Sequence, residues 1–286
     1  MIRVALPSKG RLMERCLALL SGAGYNVGDR RRDLFSVDPH NQVEFVFLRA
    51  VDIPVYVAGG ELDAGVTGED LVRERGVDLS PYLRLGFGDS RLCLAVPDAS
   101  PVTDVAATEG LRVATSFPRL AAELLPGPPR IVELAGSVEA SVRLGVADAV
   151  LDLVETGSTL RAAGLRVVGE PLLRSTASLF VGPHVDTDPD HAAAVAAFAR
   201  RLEGRLLGEA YVMLEYDVHG DLLAQACSLT PGIESPTVAR LERADWFSVR
   251  SMVRRVEAHA LMGFLAELGA KALVLTRVEN ALEIHT

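Results

Sequence analysis

The stretch Leu151-Asp152-Leu153-Val154-Glu155-Thr156-Gly157-Ser158-Thr159-Leu160 reads as an apolar strand that ends in two carboxylates and a hydroxyl-rich turn. The turn opens a short helical pattern that Gly164 ends. Such a turn sets successive backbone N–H groups and hydroxyls at a helix N-terminus, where unpaired donors and the helix dipole attract phosphate. A carboxylate at the strand end accepts hydrogen bonds from the two hydroxyls of a ribose. Phosphate beside ribose is what a phosphoribosyl donor presents. The competing reading is a capped turn in which Thr156 and Ser158 only satisfy the helix start.

Other charged positions fall where an open α/β sheet places its ligands, at the ends of strands. Lys9 and Arg11 follow a strand and start a helix, with the wrong sign for the dipole there, so their charges are expected to project towards phosphate. Arg49 ends an apolar strand, and its rival role is a salt bridge to Asp52 or Asp70. Thr67-Gly68-Glu69-Asp70-Leu71 is either a helix start and nothing more or a nucleotide contact through Asp70 and Leu71. Ser90 and Arg91 follow Gly86-Phe87-Gly88 near the expected crossing between lobes. Arg30-Arg31-Arg32, the one basic run, is read as a solvated loop with phosphate contact as its rival. His40, His184, His191, His219, His259 and His285 are scattered, show no metal spacing and receive no catalytic role. The three cysteines, Cys16, Cys93 and Cys227, are far apart and read as buried thiols in a reducing compartment.

These residues need a scaffold, and the pattern supplies one. Residues 1–210 alternate short apolar runs with helical spacing, the mark of an α/β fold with largely parallel sheets. Strands are expected at 2–6, 43–48, 64–67, 92–96, 111–115 and 131–134, with helices at 52–58, 69–75, 118–125 and 138–144. An internal echo links Gly60-Glu61-Leu62-Asp63-Ala64 to Gly145-Val146-Ala147-Asp148-Ala149, each followed by a strand and a Thr-Gly pair, Thr67-Gly68 and Thr156-Gly157. Two similar lobes facing across a cleft, as in the type II periplasmic-binding architecture, account for it. From Tyr211 the order becomes βαββαβ, with strands at 211–217, 237–241, 247–253 and 272–277 and helices at 221–229 and 258–268. That is the ferredoxin-like arrangement. The expected division is therefore a first lobe of residues 1–90 and 179–210, a second lobe of 91–178, and a C-terminal domain of 211–286.

Bulk composition narrows the function classes. The 286 residues are 49% hydrophobic but only 5% aromatic, so cores must be built from Ala, Leu and Val. A formal net charge of −9 argues against nucleic acid, whose phosphate backbone needs a basic surface. With no leader pattern and no long apolar stretch, a soluble cytoplasmic protein is expected.

Read together, Glu139, Gly145, Ala147, Val150, Asp152 and Thr156-Gly157-Ser158-Thr159-Leu160 resemble the phosphoribosyl-donor motif of the ATP phosphoribosyltransferases. Pro7-Ser8-Lys9-Gly10-Arg11-Leu12 resembles that family's opening loop, and Phe47-Leu48-Arg49, Asp52-Ile53-Pro54 and the run from Gly60 to Asp70 its first lobe. Thr230-Pro231-Gly232-Ile233-Glu234-Ser235-Pro236-Thr237 resembles the regulatory domain of its long form. The resemblance covers essentially the whole chain. It implies that N1 of the adenine of ATP displaces pyrophosphate from C1 of phosphoribosyl pyrophosphate, with Mg²⁺, in the first step of histidine biosynthesis. It implies catalytic roles for Lys9, Arg49 and Asp152, and donor binding by Glu139, Asp152 and Glu155 through Leu160. Lys9, Arg11, Asp70, Leu71 and Ser90 become nucleotide contacts. Mg²⁺ is expected to ride on pyrophosphate rather than in a protein cage. The long form further implies a homohexamer inhibited by histidine, held by Asp217, Ile233, Ser235, Thr237 and Ala272. Two other classes share the fold: a two-lobed solute-binding or sensor protein, and a catalytically idle regulatory paralogue.

Overall fold

The computed structural model describes residues 1–28, 34–126 and 129–282. Arg30-Arg31-Arg32 and His285 lie outside the described residues. In chain order the strands are β1 (Ile2–Pro7), β2 (Phe35–Asp38), β3 (Val43–Leu48), β4 (Ala64–Gly68), β5 (Pro81–Arg84), β6 (Ser90–Pro97), β7 (Arg112–Thr115), β8 (Arg130–Glu133), β9 (Ala149–Val154), β10 (Leu165–Ser175), β11 (Ala177–Val181), β12 (Tyr211–His219), β13 (Thr237–Arg240), β14 (Trp246–Arg254) and β15 (Lys271–Arg277). The helices are α1 (Gly10–Gly22), α2 (Ile53–Gly59), α3 (Glu69–Arg75), α4 (Pro118–Leu124), α5 (Ala140–Arg143), α6 (Ser158–Ala162), α7 (Pro189–Ala210), α8 (Gly220–Leu229) and α9 (Ala258–Leu268).

The chain divides into two compact units, Met1–Ala18 with Asn26–Ala197, and Leu19–Tyr25 with Phe198–Thr286. The first unit holds two sheets, ordered β2-β3-β1-β4-β11-β5 and β10-β6-β9-β7-β8. The chain passes from the first sheet to the second between β5 and β6 and returns at Thr176, between β10 and β11. Two α/β lobes exchanging strands in this way form the two-lobed type II periplasmic-binding-like architecture. The sheets are less parallel than expected: β1 pairs parallel with β3 and β4, and β7 with β8 and β9, but β6, β10 and β11 pair antiparallel. The reason is connectivity. A strand that arrives directly from the other lobe lacks the helical crossover that a parallel neighbour requires.

Local sequence explains the elements that carry the site. In β1, Ile2, Val4, Ala5 and Leu6 are all buried, as expected of a central strand covered on both faces. α3 has Glu69 and Asp70 in its first turn and Arg73 and Arg75 in its last, matching the dipole, and Gly76 ends it in the left-handed region at φ 63°. Phe117, Leu120, Val113 and Leu151 centre the core of the second lobe.

The sequence echo is structural. Asp63 Oδ2 accepts the backbone N–H of Arg3 at 2.6 Å, and Asp148 Oδ2 accepts that of Arg112 at 2.9 Å. Each carboxylate thus fixes the start of a strand, β1 or β7, to the strand that follows the aspartate, β4 or β9. The likeness stops at the Thr-Gly pairs: Gly68 is extended at φ −78°, whereas Gly157 is left-handed at φ 73°.

In the second unit, β13-β14-β12-β15 form one antiparallel sheet with α8 and α9 packed on it, the ferredoxin-like βαββαβ order. Val212, Leu214, Tyr216 and Val218 of β12 alternate into its core with the strand period of two. Among the described residues, no helix is long and apolar enough to cross a membrane.

Candidate functional site

Three adjoining cavities of about 440, 390 and 230 Å³ run along the first unit, sharing Arg11, Ser90 and Glu155 among their walls. The smallest is built by the hydroxyl-rich turn. β9 delivers Asp152, the chain turns at Glu155 and Thr156, and left-handed Gly157 opens α6. Any larger residue at Gly157 would be strained by that φ. The N-cap is Gly157, which has no side chain to offer, and the Ser158 N–H makes only a long hydrogen bond, 3.4 Å, to Thr156 Oγ1. Thr156 Oγ1 and Ser158 Oγ lie 3.0 Å apart, and both hydroxyls are exposed, as is Thr159. One long bond from the Ser158 N–H is all the helix start takes from these hydroxyls, and they line the same cavity as Asp152 and Glu139.

Burial pushes the Asp152 carboxyl above its ordinary range; the Leu153 N–H opposes this, and the nearby Glu139 charge adds to it. Glu139 stands at the start of α5, directly before Ala140. Arg11, from the first turn of α1, reaches Glu155 at 2.7 Å, joining the opening loop's helix to the turn.

The middle cavity has an apolar wall of Leu12, Leu71, Phe87 and Ala177 and polar positions at Arg11, Asp70 and Ser90. Arg15 stacks over Phe87, 5.2 Å from the ring centre. Asp70 is 3% exposed, and burial raises its carboxyl although Ser175 donates to it. Gly68 caps α3 without a side chain, while the Thr67 hydroxyl donates to Ala50 O at 2.8 Å.

The largest cavity is lined by Arg84, Arg91 and Arg174 together with Glu69, Asp89 and Glu155. Arg84 is engaged by Glu69 at 2.8 Å. Arg91 and Arg174 stand opposite one another in the β6–β10 register, and neither makes an ion pair among the described residues. Two adjacent free guanidinium groups suit a polyanion. Sequence reasoning missed Arg174, because it becomes a neighbour of Arg91 only through the strand register.

Lys9 and Arg49 are exposed at the ends of β1 and β3 but line none of these cavities. The salt bridges considered for Arg49 are absent among the described residues: Asp52 pairs with Arg75 at 3.3 Å, and Asp70 with the Ser175 hydroxyl. Cys16 and Cys93 are buried, and Cys227 is half-buried.

In the second unit, Asp217 and Thr237 sit on the sheet face opposite the helices; Asp217 is opposite Ser248 and Lys271, and Thr237 opposite Arg250. β12 continues to His219, so Asp217 is not its last residue. Ile233 and Ser235 lie in the loop before β13, a loop fastened where Ser251 Oγ donates to Thr230 O and Tyr216 OH meets Thr230 Oγ1. Ala272 is the second residue of β15 rather than its first, and its φ of 51° coincides with a register shift against β12.

One reading of the histidines is corrected. His184 and His191 do come together, because a 3₁₀ turn at Val185–Thr187 folds the chain back before α7, and both meet Asp63. Burial raises the Asp63 carboxyl, but hydrogen bonds from Arg3 N–H, His184 and His191 outweigh it and hold the group below its ordinary value.

Residues 49–204 match the family model described as ATP phosphoribosyltransferase, and residues 209–280 match that described as HisG, C-terminal domain. An ATP phosphoribosyltransferase of Arthrobacter sp. (strain FB24) is 44% identical over 282 residues, covering 97% of this chain and 98% of its own. One from Salinispora tropica is 43% identical over 284 residues, covering 98% and 99%. Among solved structures, a chain of the ATP phosphoribosyl transferase (HisG:HisZ) complex from Thermotoga maritima superposes with a TM-score of 0.61 at 27% identity. That match covers 71% of this chain and 97% of that one.

Proposed function

The chain belongs to the ATP phosphoribosyltransferase family, pentosyltransferases of histidine biosynthesis, and we propose that it joins adenine N1 of ATP to C1 of phosphoribosyl pyrophosphate. The bond from C1 to the pyrophosphate oxygen breaks as the N1–C1 bond forms, and pyrophosphate leaves with the electron pair. This is the pathway's first step.

The observation that carries this reading is the turn after β9, where three exposed hydroxyls share a cavity with Asp152 and Glu139. Thr156, Ser158, Thr159 and the N–H groups around Gly157 and Leu160 suit the donor's 5-phosphate, and Asp152 with Glu139 suits its ribose hydroxyls. The apolar wall of Leu12, Leu71 and Phe87 suits the flat adenine, with Asp70 and Ser90 at its polar edge. Arg91 and Arg174 lie where released pyrophosphate or the ATP phosphates would gather. Lys9 and Arg49 flank the opening loop's end of the first sheet outside the three cavities, and in this reading their positive charges act on the phosphates through the local field rather than by lining the cavities.

Adenine N1 is a weak nucleophile, so most of the acceleration comes from holding two anionic substrates in line. Fixed cationic donors stabilise the charge that develops on the departing pyrophosphate. The half-buried Asp152 and Glu139 carboxylates at the donor cavity would offer oxygen ligands to a Mg²⁺ bound with the pyrophosphate, a hard cation that prefers oxygen. When bound, it supplies charge neutralisation.

In the same reading the enzyme works in the cytoplasm as a homohexamer, and histidine binds the C-terminal domain near Asp217, Ile233, Ser235, Thr237 and Ala272. The test is incubation of purified full-length protein with ATP, phosphoribosyl pyrophosphate and Mg²⁺, followed by mass analysis. A phosphoribosylated ATP formed only when both substrates are present supports the proposal; its absence overturns it.

A further inference from the structure

Where β4 begins, at the opposite end of the strand from Asp70 and the cleft, three side chains meet that the reaction does not use. Asp63 Oδ1 lies 3.0 Å from His184 Nε2 and 2.8 Å from His191 Nδ1, and the potential ligand atoms of all three lie within 4.8 Å of one another. The Asp63 side chain is only 6% exposed, while the imidazoles are 35% and 37% exposed, so the cluster opens to solvent on one side.

The place is built to hold an imidazole. A Cβ at Gly182 would lie 2.9 Å from His184 Nδ1 and 2.9 Å from Val57 O, and one at Gly60 would lie 3.4 Å from His184 Nδ1. The two glycines thus leave space for the ring, whose Nδ1 is buried and has no hydrogen-bond partner among the described residues.

The second lobe shows what this position does without histidines. There Arg112 supplies both its N–H and its guanidinium to Asp148, closing the carboxylate locally. In the first lobe the corresponding Arg3 turns its guanidinium to Glu44 at 3.2 Å, and two imidazoles take its place at Asp63. One carboxylate facing two imidazoles is the donor set of zinc and its neighbours, whereas magnesium and calcium prefer all-oxygen sets. A tetrahedral ion with bonds of about 2.0–2.1 Å needs its ligands roughly 3.3 Å apart, close to the 3.0 and 2.8 Å between Asp63 Oδ1 and the two imidazoles.

We infer that Asp63, His184 and His191 form a binding site for a divalent transition cation, with zinc as the expected occupant and water on the open side. The ion would staple the turn before α7 to the start of β1 and β4, a structural role outside the cleft.

The probe is Zn²⁺ added to chelator-stripped full-length protein, followed by metal count per chain, competition with a zinc indicator, and thermal melting. The wild type is expected to take up one Zn²⁺ per chain and to melt at rising temperature as Zn²⁺ increases. The double variant His184→Ala/His191→Ala should lose that equivalent and the thermal response. His191→Gln, a milder change at a partly exposed position, should weaken binding by at least tenfold. Absence of a bound equivalent in the wild type overturns the proposal, as does uptake and stabilisation equal in wild type and His191→Gln.

Discussion

Ser175 and Asp70 hold each other where the chain returns from the second sheet to the first. The Ser175 hydroxyl donates to the buried Asp70 carboxylate and accepts the Asp70 N–H at 3.0 Å. Ser175 is the last residue of β10, and Asp70 lies in the first turn of α3, so the pair fastens the crossing at Thr176 beside the proposed nucleotide cavity.

Burial raises the Asp70 carboxyl, so its protonated form is the one the fold favours. The stability this gives is fully present below the ordinary carboxylate pKa and is lost as pH rises through the raised value. Asp70→Asn removes the buried charge while keeping an acceptor, and should be at least as stable as wild type at pH 7. Urea unfolding at descending pH should show the difference shrinking towards about pH 4. The same variant should raise the KM for ATP. A difference that widens on acidification would contradict this account.

The paired aspartates of the two lobes should respond differently to acid and salt. Asp148 is held at about 2, first by the Arg112 guanidinium and then by the Arg112 N–H. A depressed carboxyl contributes stability that is present above its unfolded value of about 3.9 and lost as pH falls through the folded one. Arg112→Ala should therefore lower Tm by a few degrees at neutral pH, less in high salt, and least near pH 2. Asp63→Ala leaves the Arg3 N–H unpaired beside a buried strand and should cost about 1–3 kcal/mol in denaturant melts.

Asp152 and Thr159 are expected to serve the phosphoribosyl donor. Asp152→Ala removes acceptors for ribose hydroxyls, and Thr159→Val removes a phosphate donor. Each should weaken donor binding roughly ten- to a hundredfold, the range for one hydrogen bond to a charged group. Because burial raises the Asp152 carboxyl and ribose recognition uses its ionised form, donor affinity should fall as pH drops through a value above the usual carboxylate range. Variants that stay within about twofold of wild type in donor affinity and turnover would show that the turn is misassigned.

Asp217→Ala should leave basal activity unchanged and raise the histidine concentration for half-inhibition about tenfold, one charged hydrogen bond. Dose–response curves on the full chain check this; unchanged inhibition would place the effector elsewhere. Light scattering at micromolar protein with substrates and histidine present tests the hexamer, and monomers alone would contradict it.

What could be read from the residues followed from local rules. The βαββαβ order was legible because β12 and β14 alternate and Gly269 stops α9 in a left-handed cap at φ 101°. The echo of Asp63 and Asp148 was legible because the same short motif precedes the same kind of strand. β10 was not, because Gly169 and Pro171 interrupt its pattern where the pairing with β6 shifts register, and with β10 the neighbour relation of Arg91 and Arg174 was lost. α7 escaped because its Ala-rich start, Ala192-Ala193-Ala194, gives little contrast between faces. His184 precedes a 3₁₀ turn and His191 lies within α7, so no single element marks them as a pair, and Asp63 joins them only through tertiary folding.

The central claim is that the turn after β9 transfers a phosphoribosyl group to ATP, and stoichiometric product analysis tests it most directly. With Mg²⁺, full-length wild-type protein should release one pyrophosphate for every ATP converted to its N1-phosphoribosyl adduct, and Asp152→Ala should do so at least tenfold more slowly at subsaturating donor. Pyrophosphate release without an adenine adduct, or no release at all from folded wild-type protein, would contradict the account.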